Sequence, residues 1–364
     1  MIDVLPDRPR KGRGAVSNPT GRFEAEQRLA VADGWTEREM EEEEPVLRTH
    51  VGIDATRSIL NRNDSPDIPF ERSINPYRGC EHGCVYCFAR PTHAYMDLSP
   101  GLDFESRLFA KTNAPEKLVE ALAKRSYKPS PIMLGANTDP YQPIERTYRI
   151  TRELLEILDA SNHPVGITTK SPNVVRDLDI LERMAARGLV AVGVSVTTLD
   201  PALARILEPR APAARKRLQA IRSLSDAGVP VTLMAAPMIP HINDMELEAL
   251  IEAGADMGCR HAAYILLRLP LEVRDLFAEW LENHFPDRKE RVLNQVRETR
   301  GGRDYDPTFG QRMTGQGVYA DLLKRRFRVK VRQLGLNRAE PTEVRLDATA
   351  FKPPVPPGGQ MPLF

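Results

Sequence analysis

The 364-residue sequence predicts an α/β protein built as an incomplete (β/α)6 barrel of the TIM-like kind. Three observations predict it. From residue 72, short β-prone stretches alternate with helical patterns. The last four of six strands start roughly 30 residues apart, the length of a βα unit. Each polar motif follows the C-terminal end of an expected strand, the face where barrel enzymes keep their sites. An open doubly wound sheet is the alternative, but no G-x-G-x-x-G follows the first strand.

The strands are expected at Ser73–Tyr77, Ile132–Leu134, Val165–Thr169, Val190–Val196, Val231–Ala235 and Ala262–Leu267. Between them, "ITRELLEILDA" places Ile150, Leu154, Ile157 and Leu158 on one helical face. "NVVRDLDILERMAARG", "AARKRLQAIRSLSDAG" and "DMELEALIEAGADMG" follow, each closing on Gly as helix C-termini often do. The motifs at the strand ends are "RGCEHGCVYC", "GANTDPYQPIE", "TKSPN", "SVTTLD", "PMIPHIND" and "RLP".

Residues 1–50, rich in Arg, Glu and Gly with the acidic run "EMEEEEP" at 39–45, are expected to be largely disordered, with a short helix at 22–32. Residues 51–285 carry the barrel. Residues 286–338 read as a basic extension of two helices joined by a Gly-rich loop and packed on the barrel. Residues 339–364 contain "KPPVPPGGQ" and read as a flexible tail.

Apolar residues make up 41%, enough for a sizeable core. With 51 basic against 50 acidic residues, no global field draws the protein to nucleic acid or membrane, so such binding would rest on local patches. The opening "MIDVLPDRPRKGRGAVSNPTGRFE" has no apolar core, and runs such as "LVAVGV" and "AAYILL" are too short to cross a bilayer. A cytoplasmic monomer without membrane contact is expected, in a compartment where clustered thiols signify a metal or catalysis rather than a disulfide.

"RGCEHGCVYCFAR" (78–90) holds Cys80, Cys84 and Cys87, three of the four cysteines; Cys259 stands alone. Zinc sites normally draw their second ligand pair from a dozen or more residues away. His82 could complete a Cys3His site, but only within the same tight loop. The spacing C-x3-C-x2-C, with Tyr86 before the last cysteine, resembles the signature of the radical S-adenosylmethionine (SAM) superfamily. The resemblance implies a [4Fe–4S] cluster held by three thiolates, with SAM chelating the fourth iron. It further implies reductive cleavage of SAM to a 5′-deoxyadenosyl radical that takes a substrate hydrogen, with electrons from a donor such as flavodoxin or ferredoxin.

"SINPYRGCEHGCVYCFAR", "TDPYQPIE", "TKS" and "LEPRAP", across about residues 65–270, resemble the branch containing spore photoproduct lyase and its DNA-repair-photolyase-like relatives. A nucleic-acid base is the substrate class this implies. By the same resemblance, Asn137, Thr138 and Asp139 are candidates for the SAM amine, although Asp139 also fits a helix cap. Lys170 and Ser195, or Thr197 or Thr198 in place of the serine, are candidates for the SAM carboxylate. Glu208 and Arg210 are candidate ligands that equally suit a helix-end ion pair. Tyr86, with Met238 or Ile239, is a candidate for the adenine. In the lyase, a hydrogen-donating cysteine and a tyrosine occupy the positions that are Ala136 and Phe88 here, so lesion reversal itself is not expected. Cys259, Tyr141 and Tyr264 are the replacement hydrogen donors considered.

Two other readings stay open: radical SAM modification of a protein or small metabolite, and a non-catalytic Fe–S or zinc-binding adaptor. "KRRFRVKVRQLGLNR" (324–338) carries seven Lys or Arg and no acid, and suits either phosphate contact or a solvated helix followed by an edge strand. The terminal Gln360-Met361-Pro362-Leu363-Phe364 resembles peptides that dock on the DNA sliding clamp, and implies that clamp as a partner.

Overall fold

The structure, a computed structural model of the chain, describes residues 7–24, 47–338 and 346–355. The strands are β1 (His50–Ile53), β2 (Asn61–Arg62), β3 (Arg72–Ile74), β4 (Tyr77–Arg78), β5 (Arg107–Ala110), β6 (Ile132–Leu134), β7 (Val165–Thr169), β8 (Val190–Ser195), β9 (Val231–Met238) and β10 (His261–Leu266). The helices are α1 (Leu102–Ser106), α2 (Ala114–Leu122), α3 (Glu145–Tyr148), α4 (Ile150–Ala160), α5 (Leu178–Ala185), α6 (Pro201–Leu207), α7 (Ala214–Asp226), α8 (Leu247–Asp256), α9 (Val273–His284), α10 (Lys289–Glu298) and α11 (Val318–Gln333).

One seven-stranded sheet runs in the order β10-β9-β8-β7-β6-β3-β2. All pairs from β3 to β10 are parallel, as βα crossovers require, and β2 alone is antiparallel. The (β/α)6 expectation therefore holds, with β3 and β6 to β10 as its strands. The alternation along them separates two environments. Val190, Val192 and Val194 point outward and are buried beneath helices, while Ala191 and Gly193 face inward and stay half-buried. Small inward residues keep the concave side open.

The first strand is shorter than its expected span, Ser73–Tyr77. Pro76 has no N–H for a ladder, and beyond Ile74 the chain leaves the sheet. Tyr77–Arg78 instead pairs with β5 in a separate three-stranded sheet, β1-β5-β4. On α4 the buried face carries Leu155 with Leu154 and Leu158, and Ile157 is only half-buried. Each such fully buried leucine contributes about 1.5–3 kcal/mol.

The C-terminal extension forms the two expected helices, α10 and α11, and a Gly-rich loop between them. That loop ties together the two edges of the open sheet. At the β10 edge, Leu266 N donates to Met313 O at 2.9 Å. Arg300, buried, donates to the carbonyls of Leu267 (2.8 Å), Arg312 (2.9 Å) and Gln311 (3.1 Å). Near the other edge, just past β2, Arg312 Nε donates to Asp67 Oδ2 at 2.8 Å. α11 spends two of its cations docking on α8, through Arg326–Glu248 and Lys330–Glu252.

Both terminal regions contribute packed segments. Ala15 and Val16 are buried, within the stretch expected to be largely disordered. In the tail, Phe351 packs on Tyr127 and His163, and Lys352 N donates to Ser161 O at 2.8 Å. These partners precede β6 and β7, so residues 346–355 lie on the face at the N-terminal ends of the strands. Most of the expected 22–32 helix, the acidic run and residues 360–364 lie outside the described residues. Among the described residues, no helix is long and apolar enough to cross a membrane.

Candidate active site at the C-terminal mouth of the sheet

The C-terminal strand ends and the inward face of the sheet line an open cavity of about 190 Å³. Cys80, Cys84 and Cys87 all line it. Their loop is held by buried backbone contacts: Cys80 N donates to Phe104 O (2.9 Å) and Val85 N to Leu207 O (3.2 Å). Beneath the loop, fully buried Arg90 donates to the Cys84 carbonyl at 2.9 Å and pairs with fully buried Glu105. Glu105 in turn accepts the backbone N–H groups of Gly14 (2.9 Å) and Ala15 (2.8 Å). The start of the chain thus braces the cysteine loop from behind.

The three thiols fit an iron–sulfur group. They share one loop, all face one cavity, and burial pushes each thiol up. Such buried sulfurs favour the thiolate only when a cationic centre compensates the charge. His82 lines the same cavity, with its Nδ1 turned to Asp139 Oδ2 at 3.4 Å.

Across the cavity, Lys170 Nζ lies 3.0 Å from Ser195 Oγ and 3.6 Å from Glu208 Oε1. Glu208 also accepts from Tyr86, from Thr197 Oγ1 (2.7 Å) and from buried Arg217. Burial alone would raise the Glu208 carboxyl, but Arg217 and Lys170 outweigh it and hold the group well below the ordinary carboxylate range. Two cations around one anion leave a net charge of +1 at this wall, suited to one further carboxylate.

Asp139 lines the cavity as well, and its carboxylate is engaged by the chain itself. Its carboxylate accepts Tyr141 N (2.8 Å), Thr169 Oγ1 (2.7 Å) and Lys170 N (2.7 Å), besides facing His82. Burial acts to raise it, yet His82 and these donors hold it below the usual range. With its lone pairs taken, Asp139 ties the loop after β6 to the end of β7. Asn137 lines the cavity, whereas Thr138 is buried and donates to Tyr77 O at 2.8 Å.

Several other expected site residues stand back from the cavity. Arg210 pairs with Glu81 at 2.6 Å behind the cysteine loop. Ile239 and Met238 are fully buried in the apolar layers, and Ala236 and Pro237 line the wall instead. None of the three hydrogen-donor candidates reaches the cavity. Tyr141 is fully buried and donates to Asp177 Oδ2 at 3.0 Å. Tyr264 is turned away from the cavity onto Phe327 of α11, and its neighbour Ile265 lines the cavity instead. Cys259 is buried ahead of β10, at the opposite end of the strands, its thiol pushed up to about 11 by burial. Among the described residues, the lining holds no thiol or phenol besides the three cysteines and Tyr86. Arg217 and Glu105 carried no sequence signal, whereas Arg90 closes the cysteine motif and Arg268, also in the lining, belongs to the "RLP" motif.

A parallel partial barrel with three thiols and a cationic wall at its C-terminal mouth defines an enzyme class in which a loop-bound metal cluster works beside a cofactor that carries a carboxylate. Residues 74–254 match the family described as the Radical SAM superfamily, and the chain belongs to that superfamily. Its members use a [4Fe–4S] cluster and SAM. An uncharacterised protein of Mycobacterium tuberculosis is 34% identical over 303 residues, covering 81% of this chain and 86% of the relative. One of Methanocaldococcus jannaschii is 27% identical over 223 residues, covering 61% and 80%. The fold is shared with spore photoproduct lyase: a variant solved with AdoMet and dinucleoside spore photoproduct aligns at a TM-score of 0.55 and 17% identity, covering 79% of this chain and 80% of that one.

Proposed function

We propose that this radical SAM enzyme removes a hydrogen atom from a base in nucleic acid, in a reaction other than spore photoproduct reversal. The observation that carries the reading is the single cavity onto which Cys80, Cys84, Cys87 and the Lys170–Ser195 pair all open. When bound, the cluster and SAM supply the electron and the 5′-deoxyadenosyl radical. Cys80, Cys84 and Cys87 hold the cluster, and Lys170 and Ser195 hold the SAM carboxylate, with the +1 wall as its electrostatic complement. Asn137 offers an amide towards the SAM amine, and Tyr86, Ala236 and Pro237 form the wall for the adenosyl group. Asp139, Glu208 and Arg217 act as positioning residues. They fix the backbone of Lys170, its ammonium and the Tyr86 ring.

The shared fold with the lyase supports a base as substrate. Ala136 and Phe88, with no cavity thiol beyond the three cysteines among the described residues, support a different reaction. The test is anaerobic reconstitution with iron and sulfide, reduction in the presence of SAM, and quantification of 5′-deoxyadenosine with and without single-stranded DNA or RNA. Nucleic-acid-dependent formation is expected. Formation that neither nucleic acid changes would overturn the substrate class, and absence of SAM cleavage would overturn the cofactor assignments.

A further inference from the structure

Arg268 is the cation of the cavity that the chemistry above leaves unused. It follows β10, three strands along the sheet from Lys170, and so lies apart from the carboxylate wall. Its guanidinium sits over the rings of Phe88 (5.3 Å) and Tyr305 (5.8 Å). Nη2 donates to Tyr305 OH at 3.2 Å, and Nη1 meets only the Met313 thioether at 3.5 Å, a weak acceptor. Nε is buried without a partner, and among the described residues Arg268 forms no ion pair.

A second cation, Arg300, stands near it. Burial and Arg268 pull the Arg300 guanidinium down to about 10, against the opposing pull of Tyr305 and Asp306. Arg300 cannot turn away, because it holds the carbonyls of Leu267, Gln311 and Arg312. A guanidinium at a cavity mouth with no ion pair favours an anion that can accept from Nη1, whose present partner is only the thioether. Phe88, 46% exposed beside it, offers an aromatic face at the same mouth. Phosphate and stackable base side by side are what a single strand of nucleic acid presents.

We propose that Arg268 grips a backbone phosphate of a single-stranded nucleic-acid substrate, with Phe88 as the surface on which an adjoining base stacks; this rests on the substrate class proposed above. The test uses the anaerobically reconstituted holoprotein and two fluorescein-labelled thymidine pentamers, one with phosphodiester links and one with neutral methylphosphonate links. Anisotropy is read across a salt series. The wild type is expected to favour the charged pentamer, and Arg268→Gln to weaken it by about tenfold or more while leaving the neutral pentamer unchanged. Losing one phosphate contact also lowers the slope of log affinity against log salt by about 0.7 for a single strand, a change that loss of packing would not produce. Arg268→Lys keeps most of that slope, which guards against a misfolded glutamine variant. Equal binding of the charged pentamer by wild type and Arg268→Gln would overturn the role of Arg268 and leave the substrate class standing. Failure of the wild type to bind either pentamer would overturn both. A variant that loses SAM affinity in calorimetry but not pentamer affinity would reassign Arg268 to the cofactor.

Discussion

Gly14 lies so close to Gly83 that a Cβ on Gly14 would stand 1.8 Å from the Gly83 carbonyl oxygen. No side chain fits there, and the neighbour is backbone rather than a flexible tip. The contact joins the start of the chain to the loop between Cys80 and Cys84, and Glu105 fixes both sides of it: Gly14 N donates to its Oε2 at 2.9 Å, and a Cβ on Gly83 would meet the same oxygen at 2.8 Å.

Gly14→Val therefore displaces the brace. The expected cost is about 1–3 kcal/mol of overpacking, expressed at the cysteine loop. Iron release to a chelator, followed by loss of the cluster absorbance, is expected to be several-fold faster than in wild type. An unchanged rate would show that the brace does not support the loop.

Replacing Cys80, Cys84 or Cys87 singly by Ala is expected to abolish 5′-deoxyadenosine formation and remove the normal brown chromophore. Cys259→Ala is expected to reconstitute with unchanged iron content, since that thiol lies at the far end of the strands. A fall in iron of about a quarter in this variant would mean four protein ligands, contrary to the proposed use of the open position.

Lys170→Ala is expected to weaken SAM binding by about 1.5–3 kcal/mol, the range for a charge-assisted hydrogen bond, with iron content unchanged. Calorimetry with the reconstituted protein reads both affinity and stoichiometry. Wild-type affinity in the variant would reject the carboxylate assignment.

Acid is expected to weaken the fold through His163. Burial, partly offset by the Pro164 carbonyl and assisted by Arg72, pulls this imidazole down to about 4, against an ordinary 6.5. Between those values the unfolded chain binds a proton that the folded protein refuses. Stability is therefore fully present above pH 6.5 and falls as pH drops towards 4. The loss between pH 7 and pH 5 amounts to about 2 kcal/mol from this group. Urea unfolding at the two pH values measures it, and His163→Gln is expected to show a smaller difference than wild type. An equal difference in the two proteins would exclude His163 as the source.

A fluorescent peptide of residues 352–364 is expected to bind the purified DNA sliding clamp, and a Leu363→Ala, Phe364→Ala version to bind at least tenfold more weakly. The two apolar side chains suit a pocket, and Gln360 suits a hydrogen bond at its rim. Indistinguishable titrations of the two peptides would remove the clamp as a partner.

The sequence made the regular parts of the barrel legible. Ile132–Leu134 and Val165–Thr169 match their expected spans because their ends are set by local turn signals and β-branched runs. The small sheet was illegible. β1 and β5 are short, and they are strands only because tertiary packing brings them together. The cysteines were legible because their partners lie within one loop. The work of Asp139 and Glu208 was not, since it depends on His82 and Arg217, which only the fold brings near. Tyr264 was misread because local sequence does not say which face of β10 turns inward: Ile265, not Tyr264, lines the cavity.

Phe351 fixes the departure point of the last residues. Seated against Tyr127 and His163, it pins the chain to the face opposite the cysteines. A partner gripping that end would hold the enzyme from the rear, like a lamp clamped by its base. The reactive mouth would remain unobstructed, facing away from whatever held the enzyme.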